Sequence, residues 1–513
     1  MGERHKPQAG ASVQAAPSGP QMTPRGSPNV AQAVLLASAL GQLGLALVIT
    51  VYLARVLSPA AFGFFSLIGT IFILARKVLD LGLSNVAARD IAQDPQRERP
   101  ILEGMMAYRR AAGVALALAL FVFAFVQRDP QERWVLLAAG VVLLFTEPAA
   151  LDPAFQVRQA QGGPAFLNLC GGFLVLLGSV VFNRLAFAGA VFALLLVIRE
   201  AFSLLGTKIL ANRLLGYHPK AGFRGRALKA FVGPALIFSL ASLIYTVYFN
   251  CDVFFVLALR GRDELGAYAA AFRPINPLLL LPWLLMVPVV PVLTVVLTRS
   301  REQFICQVRS ACEIAFGVGS CGAVAGVLLA PDLVRLLYPV RYLEGPLSCV
   351  NAFRWLSVAL GLVCVTTVVT ASMLADRREK VLLTIGTLAL VANVALNLVL
   401  LRRYNFTAAG FATAATELFY LIGAVVAFHI FTGRSALTWR TLLYVTPAAS
   451  MAAILHLTAG GAVLRVCAGI GLGLLAVAAI LVMPQSRQFR REMRSFTPTF
   501  EEAAAVAAPQ VEL

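Results

Sequence analysis

Charge is the scarcest property of this 513-residue chain. Only 13% of its residues are Asp, Glu, Lys or Arg, against roughly 25% in soluble domains. With 59% hydrophobic residues and a mean hydropathy of +0.80, the apolar surface is too large to hide in one aqueous core, which excludes a soluble fold. Alternating ten-residue strands are missing too, which excludes a transmembrane barrel. There is no Walker-A phosphate loop, no His-Glu-x-x-His and no nucleophile elbow. Neither covalent catalysis nor ATP-driven transport by this chain alone is therefore indicated. The four histidines, His5, His218, His429 and His456, are scattered. None of the eight cysteines forms a Cys-x-x-Cys pair, so no metal, redox motif or cofactor is expected and the thiols read as small packing residues. Long loops are absent as well. The longest on the outer side, about 331–346, offers only Asp332, Arg335, Arg341 and Glu344, too little for a membrane glycan polymerase or ligase.

What is present is a succession of apolar runs, each about twenty residues long and able to cross about 30 Å of hydrocarbon as a helix. The sequence predicts an all-α polytopic membrane protein with about fourteen transmembrane helices, arranged as two six-helix lobes plus two extra C-terminal helices. The expected divisions are a disordered cytoplasmic tail (1–28), an N-terminal lobe (29–207), a basic cytoplasmic linker (208–230), a C-terminal lobe (231–430), the last two helices (431–483) and a second cytoplasmic tail (484–513). The eighth span, 264–297, contains Pro274, Pro277, Pro282, Pro288 and Pro291, so kinks are expected. With the N-terminus inside, the tails and even-numbered loops hold more than twice as many Lys and Arg as the odd-numbered loops. Both termini are therefore expected in the cytoplasm of a bacterium, with the chain in its inner membrane. The same bias explains the net charge of +18 without a nucleic-acid partner.

A short internal repeat supports the lobes. Phe62-Gly63-Phe64-Phe65 follows the first span and Leu265-Gly266-Ala267-Tyr268 follows the seventh, with an apolar residue before each glycine and an aromatic one two after. Lobes of six helices share one orientation, so their axis runs along the membrane normal.

The stretch Leu53-Ala-Arg-Val-Leu-Ser-Pro-Ala-Ala-Phe-Gly-Phe-Phe-Ser with Asp80-Leu-Gly-Leu-Ser resembles the start of polysaccharide-biosynthesis transporters. These are the O-antigen and exopolysaccharide flippases of the multidrug/oligosaccharidyl-lipid/polysaccharide exporter superfamily. Tyr245 to Asp252, Leu265-Gly-Ala-Tyr-Ala-Ala-Ala-Phe-Arg, Leu329-Ala-Pro-Asp-Leu-Val-Arg-Leu-Leu-Tyr and Asn393 to Asn397 with Ala408-Ala-Gly-Phe-Ala-Thr-Ala resemble later helices of that family. The resemblance spans roughly residues 29–440. It implies a V-shaped pair of bundles around a central cavity, and a polyprenyl-pyrophosphate-linked saccharide carried from the cytoplasmic to the periplasmic leaflet. Membrane lipids and polysaccharide polymerase or assembly proteins are the partners it implies. The last two helices correspond to those thought to hold the lipid tail in peptidoglycan-precursor flippases.

A Lys, Arg or Asp at the centre of a membrane helix costs about 2.5–3.5 kcal/mol, so it normally faces a partner or a wet cavity. The cations singled out inside the spans are Arg76, Lys77, Arg199, Arg273 and Arg354. They are the expected contacts for a pyrophosphate, which suits the planar fork of Arg. Simple pairing competes with that role. Arg76 and Asp80 are four residues apart on one helical face, and Arg273 and Asp252 fall at similar depth on neighbouring helices. Lys77 and Arg354 sit where they could reach an interface. Asp252, Glu147 and Glu417 are the expected sites for a coupling ion or proton. Two other transporter readings stay open, a lipid II flippase and a multidrug/cation antiporter of the same superfamily; the second needs acidic cavity residues, and the first span has no acid.

Overall fold

The computed structural model describes residues 28–483 apart from 128, 183–187, 220, 222–239, 280–281, 283–285, 287–288 and 459. Both predicted tails lie outside the described residues, as do 220 and 222–230 of the basic linker, whose first part, 208–215, continues a helix instead of forming a loop. The chain is an all-helical polytopic membrane protein with no strand among the described residues. Eleven helical segments there are long and apolar enough to cross a bilayer. The remaining three of the fourteen expected spans coincide with a first helix whose described apolar part is Leu40–Val56, with a broken segment over 262–299, and with a short pair over 439–457.

The helices are α1 (Pro28–Val56), α2 (Pro59–Asp80), α3 (Leu83–Gln93), α4 (Glu98–Val126), α5 (Pro130–Leu144), α6 (Asp152–Val157), α7 (Gly162–Val181) and α8 (Ala188–Leu215). Then come α9 (Leu240–Arg260), α10 (Arg262–Ile275), α11 (Val289–Arg299), α12 (Arg301–Leu337), α13 (Val350–Ala375), α14 (Glu379–Arg403), α15 (Thr407–Thr432), α16 (Thr446–Leu457) and α17 (Ala462–Val482).

Local chemistry sets several boundaries. Ser58 caps α2 by accepting from the Ala61 amide at 3.3 Å, and Pro59 occupies the first helical position, where its missing N–H costs nothing. Leu81 and Gly82, both at positive φ, end α2 and turn the chain into α3. That amphipathic helix is too polar to register as a span, and the sequence reading took it for loop. Ser300, capping through Gln303, separates α11 from α12 with one residue. The fourth span, expected as one run over 134–151, closes in a 3-10 turn at Glu147–Leu151, and α6 follows beyond it, because Pro148 and Pro153 supply no amide for the α ladder. Kinking of the eighth span is observed: α10 ends at Ile275, just past Pro274, and a 3-10 turn follows.

Packing falls into sets. Helices α1, α2, α4, α5, α7 and α8 contact one another, as do α9 to α15, while α16, α17 and the 3-10 turn Trp439–Val445 pack on α12. The first two sets meet chiefly where α2 crosses α10. At that crossing the two repeat glycines lie against each other. A Cβ on Gly63 would sit 2.8 Å from the Arg262 carbonyl oxygen, and a Cβ on Gly266 would overlap the Pro59 carbonyl. Each glycine thus faces the first residue of the other's helix, and any side chain would force the helices apart. Two arginines tie the same end. Arg55 donates to the Leu336 and Leu337 carbonyls at the end of α12, while Arg341 donates to those of Ala54 and Leu57 at the end of α1. Each arginine meets orphan carbonyls at a negative helix terminus. Arg262 pairs with Glu132 of α5 at 2.6 Å.

Gly266→Val overpacks this crossing, and a cost of about 1–3 kcal/mol is expected. Thermal unfolding in detergent should show a clear drop in midpoint for Gly266→Val and almost none for Gly471→Ala, whose added methyl meets open space.

Candidate binding cavity

Below the glycine crossing, α1, α2, α8 and α10 enclose a cavity of about 170 Å³. Three of the five predicted cations line it: Arg76, Arg199 and Arg273. One carboxylate, Glu200, joins them, and Phe65, Phe72 and Leu196 are among its apolar walls.

The three guanidinium groups are held differently. Arg76 forms a two-pronged pair with Glu200, one bond of which runs from Nε to Oε1 at 2.9 Å. The competing reading, a pair of Arg76 with Asp80 along the helix, is corrected. Asp80 instead receives Arg109 at 2.9 Å and the Ser84 hydroxyl, because α4 brings a second arginine to the foot of α2. Arg199 follows the opposite logic. Its neighbour Glu200 points round the helix to Arg76, and the buried Arg199 Nε has no hydrogen-bond partner among the described residues. Arg273 donates through Nε to Ser66 Oγ at 2.8 Å and through Nη2 to the Ser66 carbonyl. The alternative pairing of Arg273 with Asp252 is also corrected, since Asp252 is bound elsewhere. Among the described residues the cavity lining thus carries three positive groups and one negative one.

Lys77 and Arg354 do not line this cavity. Lys77 lies on the next face of α2. Arg354, one turn into α13, donates to the Val327 carbonyl and to Asn351 Oδ1, both at 3.2 Å.

The predicted acids also separate. Glu147 pairs with Arg110 of α4 beside the break in the fourth span. Glu417, on α15, is fully buried and accepts from the Tyr248 hydroxyl. Asp252, 1% exposed, lies in a cage of neutral donors: Tyr268 Oη at 2.9 Å, Asn397 Nδ2 at 2.7 Å and Thr413 Oγ1 at 2.5 Å. Asn393 Oδ1 accepts from Asn397 at 3.0 Å, and the buried Asn397 Oδ1 has no donor among the described residues. Oxygens of one carboxylate, two amides and two hydroxyls thereby gather with no basic side chain bonded to them among the described residues. Sequence reasoning found Asp252 but not its cage, nor Ser66 and Gly69 as the seat of Arg273.

Residues 32–295 match the family described as polysaccharide biosynthesis protein. No curated protein matches the chain in sequence. Among solved structures, a lipid II flippase, MurJ, in an inward closed conformation is similar with a TM-score of 0.67 at 15% identity, over 91% of this chain and 100% of that one. An inward-facing multidrug resistance MATE family transporter of the MOP superfamily gives 0.58 at 16% identity, over 78% and 98% of the two chains. An outward-facing one gives 0.51 at 16%, over 80% and 97%. These likenesses establish a shared fold, and the match over more than half the sequence establishes the family: the chain belongs to the polysaccharide biosynthesis proteins.

Proposed function

We propose that the chain is a flippase that moves a polyprenyl-pyrophosphate-linked saccharide from the cytoplasmic to the periplasmic leaflet by alternating access. The observation that carries this reading is the excess of positive charge in the cavity, where Arg76, Arg199 and Arg273 face a single carboxylate, Glu200. Placing guanidinium groups in a membrane protein without matching acids is costly. A diphosphate supplies the missing negative charge and accepts several charge-assisted hydrogen bonds at once. The saccharide travels with the headgroup while the polyprenyl tail stays in lipid. The moving parts are the two six-helix units, 29–207 and 231–430, rocking about the cavity. In this reading the termini are cytoplasmic, the glycine crossing is periplasmic, and the membrane is the bacterial inner one. A polymerase or assembly protein would receive the cargo outside.

Coupling is assigned to Asp252. Its cage of neutral oxygens and donors includes no basic partner among the described residues, so a proton or small cation can neutralise it. Glu147 is already answered by Arg110, and Glu417 stands apart behind Tyr248.

A lipid II flippase is the second reading. The similarity to MurJ extends over 91% of this chain and the whole of that one, and the same cationic cavity would serve a lipid-linked diphosphate. An organic-cation antiporter fits this cavity poorly.

Deleting the gene should leave undecaprenyl-linked glycan on the cytoplasmic leaflet, detectable by labelling in spheroplasts; accumulation of lipid II instead would favour the second reading. Arg199→Ala and Arg273→Ala should each lower export at least about tenfold, the loss of one charge-assisted contact, while membrane insertion stays intact. Normal export by both would sink the cavity assignment. Arg76→Ala should also lower the thermal midpoint, since it strands Glu200, and Arg76→Ala with Glu200→Gln should restore part of it. Asp252→Asn should abolish the response of export to an imposed ion gradient while binding of the lipid in detergent is retained.

A further inference from the structure

The cation Arg273 occupies two places at once, the cavity wall and the interface that closes the outer end. Along α10 it lies seven residues, two turns, beyond Gly266, and so on the same face. Opposite, Ser66 and Gly69 follow Gly63 by three and six residues along the matching face of α2. The guanidinium therefore continues the glycine crossing inward. It binds Ser66 through Nε and Nη2, and it rests directly over Gly69, where a Cβ would come 2.6 Å from Nη2 and 3.1 Å from Nη1. Only glycine leaves that seat open.

These bonds are the side-chain hydrogen-bonded tie between α2 and α10 among the described residues. Both of its acceptors are neutral, and no carboxylate pairs with Arg273 among the described residues. A phosphate offers the same donors stronger, charge-assisted bonds.

We propose that Arg273 is a bolt between α2 and α10, that Ser66 and Gly69 form its seat, and that an anionic phosphate in the cavity withdraws it. The proposal rests on the cargo reading above. With the cavity empty, Arg273 stays on Ser66 and the outer end stays closed. A phosphate that takes Nε and Nη2 removes this tie between α2 and α10, so that the outer end is then held by glycine packing and by the bonds of Arg55, Arg341 and Arg262 alone. The ligand shifts the equilibrium because it binds better to the state in which Arg273 is released. Ser66 is thus a positioning residue that competes with the cargo, and closure becomes a sensor of cargo charge.

The test uses the full-length protein in nanodiscs, with spin labels at Val56→Cys and Asp263→Cys on the two exposed tips and with the exposed Cys306 and Cys467 changed to Ser. The probe is geranylgeranyl pyrophosphate, and geranylgeraniol is the control. In the otherwise wild-type protein the pyrophosphate should add a longer label-to-label distance and the alcohol should not. Ser66→Ala should show that longer distance without lipid and should bind the pyrophosphate about three- to tenfold more tightly, the range of one neutral hydrogen bond. Arg273→Ala should also show the longer distance but bind at least tenfold more weakly. The same change at the tip with opposite changes in affinity is a signature that a merely structural role does not produce. Should Ser66→Ala fail to fold, Gly69→Ala, whose methyl displaces the guanidinium, should behave as Ser66→Ala does. An unchanged tip distance in Ser66→Ala, or weaker binding by it, would overturn the bolt. Absence of pyrophosphate binding by the wild-type tips would instead overturn the cargo reading, with the lipid-free distances still deciding whether Arg273 holds the tip shut.

Discussion

A guanidinium inside a bilayer has to be answered by an anion, by hydrogen bonds or by water, since lipid offers none of these. The three arginines of the cavity show three levels of answer. Arg76 has a carboxylate, Arg273 has two neutral oxygens, and Arg199 Nε has no acceptor among the described residues. The neighbouring elements are arranged around this imbalance. α8 places Glu200 toward α2 rather than toward its own Arg199, and Gly69 clears a seat for a side chain from the other set of helices. Residual positive charge is what a diphosphate would complete, and the arginines least satisfied by the protein are those most available to it.

The acids obey the complementary rule. Most carboxylates near the membrane have an arginine: Glu147 has Arg110, Asp80 has Arg109, Glu98 has Arg158 and Asp332 has Arg465. Asp252 and Glu417 are the exceptions among the predicted sites. Both lie in the set of helices α9 to α15, away from the cationic cavity. In the proposed function this separation keeps a cargo charge and a coupling charge from neutralising one another directly, and any link between them would pass through movement of the helices.

The fold was largely legible because its signals are one-dimensional. A twenty-residue apolar run reads as a span wherever it occurs, and proline forecast the break of the eighth. Two kinds of feature escaped. α3 is amphipathic and short, and composition alone does not distinguish such a helix from a loop. The fourth span reads as continuous because its 3-10 turn is as apolar as its flanks. At the site, the charged residues were recognisable one by one, but their partners were not. Arg76 and Glu200 are 124 positions apart, so the nearby Asp80 was the natural guess from helix periodicity. Ser66 and Gly69 look like ordinary packing residues until α10 is laid across α2.

The internal repeat explains where symmetry is kept and where it is given up. Gly63 and Gly266 are each the fifth residue of their helices, counted from Pro59 and Arg262, and the contacts they make are reciprocal. Closing the outer end requires two similar surfaces to meet on an axis along the membrane normal, so equivalence is useful there. Carried two turns inward, the same register sets Arg273 against Thr70, while Ser66 and Gly69 correspond to Ala269 and Phe272. Here equivalence would be harmful. A second arginine in place of Thr70 would bring two like charges to one crossing, and a second serine seat would have nothing to hold. Thr70, buried with its hydroxyl unpartnered among the described residues, marks the level at which the two halves diverge. The repeat gives reciprocal glycine contacts at the tip, and in the proposed mechanism one unmatched arginine just below them would tie that contact to the contents of the cavity.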